Sequence, residues 1–136
     1  EFVDYVRAEL PQLAWAPIRF LSALTGQGVE PVLNLAQDLY QRSHAKVGTS
    51  ELNKALQRAT DGRGPNRTAA NVRIYYATQV TTTPPTFTLF VNDKRLLNRN
   101  YVRYLTHRLR EELGLAQLPI RLELRDKKEK DQERRA

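Results

Sequence analysis

The residues able to do chemistry in this chain are few, and most of them are cations. Cysteine is absent and histidine occurs only at His44 and His107. Thiolate chemistry is therefore excluded, and a transition-metal site has almost no ligands to draw on. Neither histidine stands near a carboxylate and nucleophile pair. His107 reads as a surface residue, and Glu111 and Glu112 read as partners for nearby arginines or as solvent-facing carboxylates. A phosphate-binding loop needs GxxxxGK[ST], whose successive backbone N–H groups surround the phosphates. The glycine pair Gly62 and Gly64 comes nearest, and it lacks the lysine and the flanking strand. An Asn-Lys-x-Asp run for guanine selectivity is also missing. The expectation is a chain without catalysis, metal or cofactor of its own.

The cations carry more information. The 136 residues hold 22 Lys+Arg against 15 Asp+Glu, a formal net charge of +7. Residues 1–45 carry net −2, residues 46–125 net +8 and residues 126–136 net +1. The excess thus lies in the middle segment. Sixteen of the 22 are arginine, whose planar fork suits phosphate and carboxylate. A polyanion, RNA above all, is the natural partner. A well-solvated basic surface that binds nothing specific is the bland alternative, and charge alone does not choose between them. No apolar run approaches the roughly 18 residues of a membrane span, and no signal peptide opens the chain. The expectation is a soluble, cytoplasmic protein.

The elements that must position these cations follow from periodicity. Residues 2–10 space Phe2, Tyr5, Val6 and Leu10 as an amphipathic helix, ended by Pro11. Residues 17–22 (PIRFLS) read as a buried strand. A loop with Gly26 and Gly28 follows, then a helix from Val29 with Val32, Leu35, Ala36, Leu39 and Tyr40 as its stripe. This is the last strand–helix repeat of an α/β fold, and too little chain to bury a core alone. Thr49 or Ser50 caps the next helix, whose face is Leu52, Ala55, Leu56 and Ala59. Residues 60–71 read as a mobile loop. Residues 72–80 and 87–92 alternate as a hairpin, with a Thr/Pro turn at 82–85. The alternation puts Val72, Ile74, Tyr76, Thr78 and Val80 on the core face, with Leu89 and Val91. It puts Tyr75 and Phe90 opposite. A single helical turn at 94–97 precedes a helix capped by Asn98 or Asn100 and closed by Gly114. Val102, Leu105, Leu109 and Leu113 line its buried side, with Arg99, Arg103, His107 and Arg110 opposite. Pro119 introduces a last strand carrying Ile120, Leu122 and Leu124. Residues 126–136 read as a disordered charged tail.

The order helix, strand, strand, helix, strand resembles a KH-like domain of the αββααβ type. More specifically, IYYATQV (74–80), PPTFTLFVND (84–93), YVRYLTHRLRE (101–111) and PIRLELR (119–125) look like the C-terminal domain of the bacterial ribosome-assembly GTPases called Der or EngA. FLSALTGQG (20–28) resembles the final strand and fifth guanine-nucleotide motif of the second GTPase domain in that family. The resemblance covers about residues 2–125, in the correct order. It implies an α/β (α+β) chain in three parts. Residues 1–45 are the incomplete strand–helix end of a P-loop GTPase domain. Residues 46–125 form a KH-like domain with a three-stranded sheet packed by helices. Residues 126–136 are the tail.

The resemblance also implies roles. The parent protein is a GTPase using GTP or GDP with magnesium, and it acts in late assembly of the large ribosomal subunit. In this chain Ser22, Ala23 and Leu24 are the remnant of the guanine-contact loop, notably through the Ala23 N–H. One hydrogen bond, about 1 kcal/mol net, cannot hold a nucleotide. KH domains clamp a nucleic-acid backbone with a GXXG loop, but the corresponding residues 96–100 (LLNRN) contain no glycine. Contact then falls to side chains: Lys94, Arg95, Arg99, Arg103 and Arg110. They either meet ribosomal RNA of the large subunit or dock on the GTPase domains of the same protein. The second alternative is a purely protein-docking, regulatory module with no RNA contact. The incomplete α/β end is expected to pack on the KH-like part, to associate with a second copy, or to be disordered.

Overall fold

The computed structural model describes residues 1–61 and 72–127. The expected loop at 60–71 and tail at 126–136 fall mostly outside them. Helix α1 (Phe2–Glu9) opens with a reciprocal capping box between Glu1 and Asp4, in which the Glu1 side chain accepts the otherwise unpartnered Asp4 amide and Asp4 accepts from the Glu1 ammonium. A single helical turn, Pro11–Leu13, follows. Helix α2 (Val29–Ser43) starts from Gly28 at φ 81. A Cβ on Gly28 would stand 2.4 Å from the Phe20 carbonyl oxygen, so only glycine lets the chain turn this tightly. Residues 17–22 are not a strand. No strand of the described chain pairs with them, so their backbone groups have no ladder to join.

The remaining elements build one layer of helices on one sheet. Helix α3 (Thr49–Asp61) buries Leu52, Ala55, Leu56 and Ala59, the predicted face. Strands β1 (Ile74–Thr82) and β2 (Pro85–Val91) pair antiparallel, and β3 (Arg121–Asp126) joins β2 in parallel, giving the order β1-β2-β3. Helix α4 (Arg99–Glu112) crosses from β2 to β3, the connection a parallel pair requires. Four helices and a three-stranded mixed sheet among the described residues, with α3 and α4 packed on the sheet, are the α+β, KH-like fold that the order of elements implied. The core joins Leu105 and Leu109 of α4 to α3 and to Ala77, Phe87, Leu89 and Val91 of the sheet. Thr82 pairs Pro85, so the hairpin reverses at Thr83 and Pro84, one residue tighter at each end than expected. Asp126 closes β3 and is not part of a tail.

Strand β1 departs from simple alternation. Its register shifts between Ile74 and Tyr76 and again between Gln79 and Thr81. Each bulge adds a residue and reverses which side faces the core. Ala77 and not Thr78 is therefore buried, and Val80 is 51% exposed. Tyr76 joins Phe90 on the far side of the sheet, and their rings stack at 4.6 Å. Asn53 of α3 holds this irregular edge. Its side-chain amide donates to the Ala77 carbonyl at 3.0 Å, and its oxygen accepts the Ala77 N–H at 2.9 Å. The pair of bonds replaces the neighbouring strand that an edge lacks.

Candidate nucleic-acid interface

The turn between β2 and α4 is built from local caps. Asp93 accepts the Arg95 N–H at 2.9 Å, Asp126 accepts the Lys94 N–H at 2.6 Å, and Asn98 accepts the Tyr101 N–H at 2.8 Å. Leu97 is buried between the two caps. Three amides of the turn are thus already occupied by side chains. In a glycine turn such amides could approach a phosphate; here any such approach is left to the side chains.

Those side chains are not equivalent. Arg95 grips Asp93 through two bonds, Nε to Oδ1 at 3.0 Å and Nη2 to Oδ2 at 2.8 Å. This hydrogen-bonded fork, with the Asp93 charge, raises the guanidinium pKa further above its usual value. Its positive charge is already matched. Arg99 and Arg103 lie one turn apart on the outer side of α4, both exposed, and neither has an ion-pair partner among the described residues. Further along, the charges cancel. Arg108 meets Glu111 at 3.2 Å and Glu112 at 3.0 Å. Arg58 of α3 reaches Glu112 at 2.6 Å, and His107 stands 3.8 Å from Glu111. Uncompensated charge therefore gathers on the N-terminal half of α4.

Arg110 departs from the expected surface role. Only 9% of it is exposed, because the loop that leads to β3 and Trp15 cover the last turns of the face it shares with Arg99 and Arg103. Its Nε donates to the Leu118 carbonyl at 2.9 Å, and burial lowers its pKa from the usual arginine value. Its guanidinium carbon lies 5.2 Å from the ring centre of Trp15. Sequence periodicity missed Trp15, whose one signal was to be the single tryptophan of the chain, beside Pro17. Arg42 of α2 reaches the same loop, donating to the Ala116 carbonyl at 2.8 Å. An open cleft of about 770 Å³ lies between Trp15 and the outer side of α4.

The loop around Ser22, Ala23 and Leu24 is separately organised. The Ser22 N–H donates to the Gln27 carbonyl, and its carbonyl and hydroxyl accept the Gly26 and Thr25 N–H groups at 2.8 and 3.2 Å. Leu24 is 96% exposed. Phe2, Tyr5, Phe20, Leu21 and Leu33 are exposed as well, and the Phe2 and Phe20 rings touch at 5.9 Å. Among the described residues no three histidine, cysteine or carboxylate groups converge to hold a metal. No described helix is long and apolar enough to cross a membrane.

Residues 46–125 match the family described as KH-domain-like of EngA bacterial GTPase enzymes, C-terminal. Proteins named GTPase Der are similar over nearly all of the chain. One from Synechococcus sp. is 47% identical over 133 residues, covering 96% of this chain and 29% of its own length. One from Gloeobacter violaceus is 43% identical over 135 residues, covering 98% and 30%. One from Alkaliphilus oremlandii is 37% identical over 132 residues, covering 96% and 30%. The chain thus spans under a third of the length of these relatives.

Proposed function

The chain belongs to the family of KH-like domains at the C-terminus of EngA bacterial GTPases, and from that premise we propose that it serves a larger cytoplasmic GTPase in late assembly of the large ribosomal subunit. In this reading residues 46–125 are the KH-like domain and place the basic side of α4 against ribosomal RNA. Residues 1–45 are the end of the second GTPase domain. Ser22, Ala23 and Leu24 contribute one edge of a guanine site whose phosphate loop, selectivity motif and magnesium lie elsewhere in the parent. The observation that carries the reading is the pair Arg99 and Arg103, exposed and without ionic partners among the described residues. Such charges release counterions when they meet phosphates. Reversing Arg95, Arg99 and Arg103 to Glu in the longer protein should abolish its co-sedimentation with the large subunit. Unchanged co-sedimentation would remove this surface from the account. Calorimetry with GDP tests the other half: residues 1–136 alone should give no heat, and micromolar binding would contradict the reading.

A second reading, docking without RNA, is supported by different contacts. Trp15 against Arg110 and Arg42 against Ala116 already join the N-terminal segment to the C-terminal end of α4. The exposed Phe20, Leu21, Leu24 and Leu33 offer further apolar surface for GTPase-domain packing or for a second copy of the chain. If the triple reversal leaves ribosome association intact and loosens interdomain packing in the parent, docking is the function of this helix.

A further inference from the structure

Arg110 is a buried cation without a carboxylate. Nine-tenths of the residue is withdrawn from solvent, its Nε is committed to the Leu118 carbonyl, and no acidic side chain pairs with it among the described residues. Glu111, its neighbour in the cleft wall, is engaged by Arg108 and His107 instead. A buried charge left uncompensated is unfavourable, and this one lines an open cleft where an anion from outside could meet it. Trp15 lies against the guanidinium in the same cleft, 5.2 Å from ring centre to guanidinium carbon, and is fixed by the bond from its Nε1 to the Gln12 carbonyl at 3.0 Å. Indole and guanidinium planes are the two surfaces on which unpaired bases stack. A cleft of about 770 Å³ lies within the ordinary range for small-molecule sites.

We propose that the cleft between Trp15 and α4 is a nucleotide subsite, taking one base and its phosphate from single-stranded RNA. The base stacks on the Trp15–Arg110 surface and the phosphate meets the guanidinium groups of Arg110 and Arg103. A strand fits better than a free nucleotide because the positive surface does not end at the cleft. Arg103 lines its mouth, and Arg99 stands four residues earlier on the same helix side, about 6 Å further along the axis. An acidic peptide would use the cations and leave the aromatic wall without a matching plane. The subsite rests on the RNA reading of the basic helix and shares Arg103 with it, yet it adds the buried Arg110 and draws its stacking surface from the segment before residue 46.

Trp15 is the single tryptophan, so the site carries its own probe. Titrating residues 1–136 with a short oligouridylate should quench the indole emission saturably, and added salt should weaken the effect. Trp15→Ala and Arg103→Glu should each weaken binding of a labelled oligouridylate by about tenfold; the exposed Arg103 keeps the test valid should the Trp15 variant lose its fold. Binding of undiminished affinity in both variants, with unchanged emission in the parent chain, overturns the subsite and leaves the basic-surface reading standing. Absence of RNA binding by the chain overturns both. Equal quenching by uridine monophosphate overturns the assignment to a strand.

Discussion

The sharpest test of the basic helix compares two arginines that look alike in sequence. Arg95 and Arg103 are both exposed. Arg95 is held in a two-bond fork by Asp93, whereas Arg103 has no ionic partner among the described residues. A cation that releases no counterion on binding adds nothing to the salt dependence, because its charge was matched before the RNA arrived. Each freshly neutralised phosphate contributes about 0.7 to the slope of log K against log salt for a single strand, and about 0.9 for a duplex. Arg103→Ala should therefore flatten the slope by about 0.7 to 0.9, and Arg99→Ala together with Arg103→Ala by about twice that. Between 50 and 200 mM salt the double change amounts to roughly a sevenfold to twelvefold smaller loss of affinity. Arg95→Ala should leave the slope nearly unaltered. Fluorescence anisotropy of labelled ribosomal RNA fragments at four or five salt concentrations measures all three. If Arg95→Ala flattens the slope as much as Arg103→Ala, the fork with Asp93 opens on binding and the assignment of roles along the helix is wrong.

Two further outcomes follow from the packing. Asn53→Ala removes both bonds to the Ala77 backbone and leaves a half-buried edge unsatisfied, so urea denaturation should show a loss of about 1–3 kcal/mol; a neutral result would mean that water replaces the amide without penalty. Tyr101→Phe should behave oppositely. The Tyr101 hydroxyl is buried without a partner among the described residues, so its removal should leave the chain as stable or up to about 1 kcal/mol more stable near neutral pH. Burial raises the Tyr101 pKa above its usual 10.0. The folded state then holds the phenol proton more tightly than the unfolded state, a contribution present below about pH 10 and lost as pH rises through the folded value. Alkaline unfolding followed by circular dichroism should begin at higher pH in the Phe variant, and coincident curves would refute the burial argument.

The helices and the KH-like order were legible in the sequence because each helix carries its own period and its own cap. Leu52, Ala55, Leu56 and Ala59 recur at helical spacing, and Asn98 announces α4 three residues before the Tyr101 amide it accepts. Strand β1 was legible as a strand but not in its facing. Two bulges reverse the alternation, and a bulge depends on what lies across the sheet, here the Asn53 amide at Ala77. The same limit applies to the cations. Arg99, Arg103 and Arg110 fall at similar spacings, and the sequence put them on one face. A helix of 3.6 residues per turn does keep Arg110 within about 20° of Arg99 and Arg103; what the spacing does not carry is that the loop at 115–118 and Trp15 cover that end of the shared face. Trp15 was illegible as a site residue because its partner is 95 positions away in the chain.

Helix α4 carries the exposed basic pair at one end and the contacts to the preceding segment at the other, so the two proposed roles are compatible in one molecule. Its N-terminal half holds the uncompensated Arg99 and Arg103. Its C-terminal half is neutralised by Glu111 and Glu112 and is joined to the preceding segment through Arg110, Trp15 and the loop that Arg42 grips. A helix of 14 residues is stiff over its length, so a shift of the N-terminal segment against Arg110 would move the arginines as a rigid lever. The two halves also differ in what disrupts them. Salt weakens exposed charge and leaves the half-buried Trp15 contact largely untouched. Raising salt should therefore release RNA while the N-terminal segment stays on α4, observable as lost RNA anisotropy with unchanged Trp15 emission in the RNA-free chain. Simultaneous loss of both would show that the segment is held by charge alone and that the proposed lever does not exist.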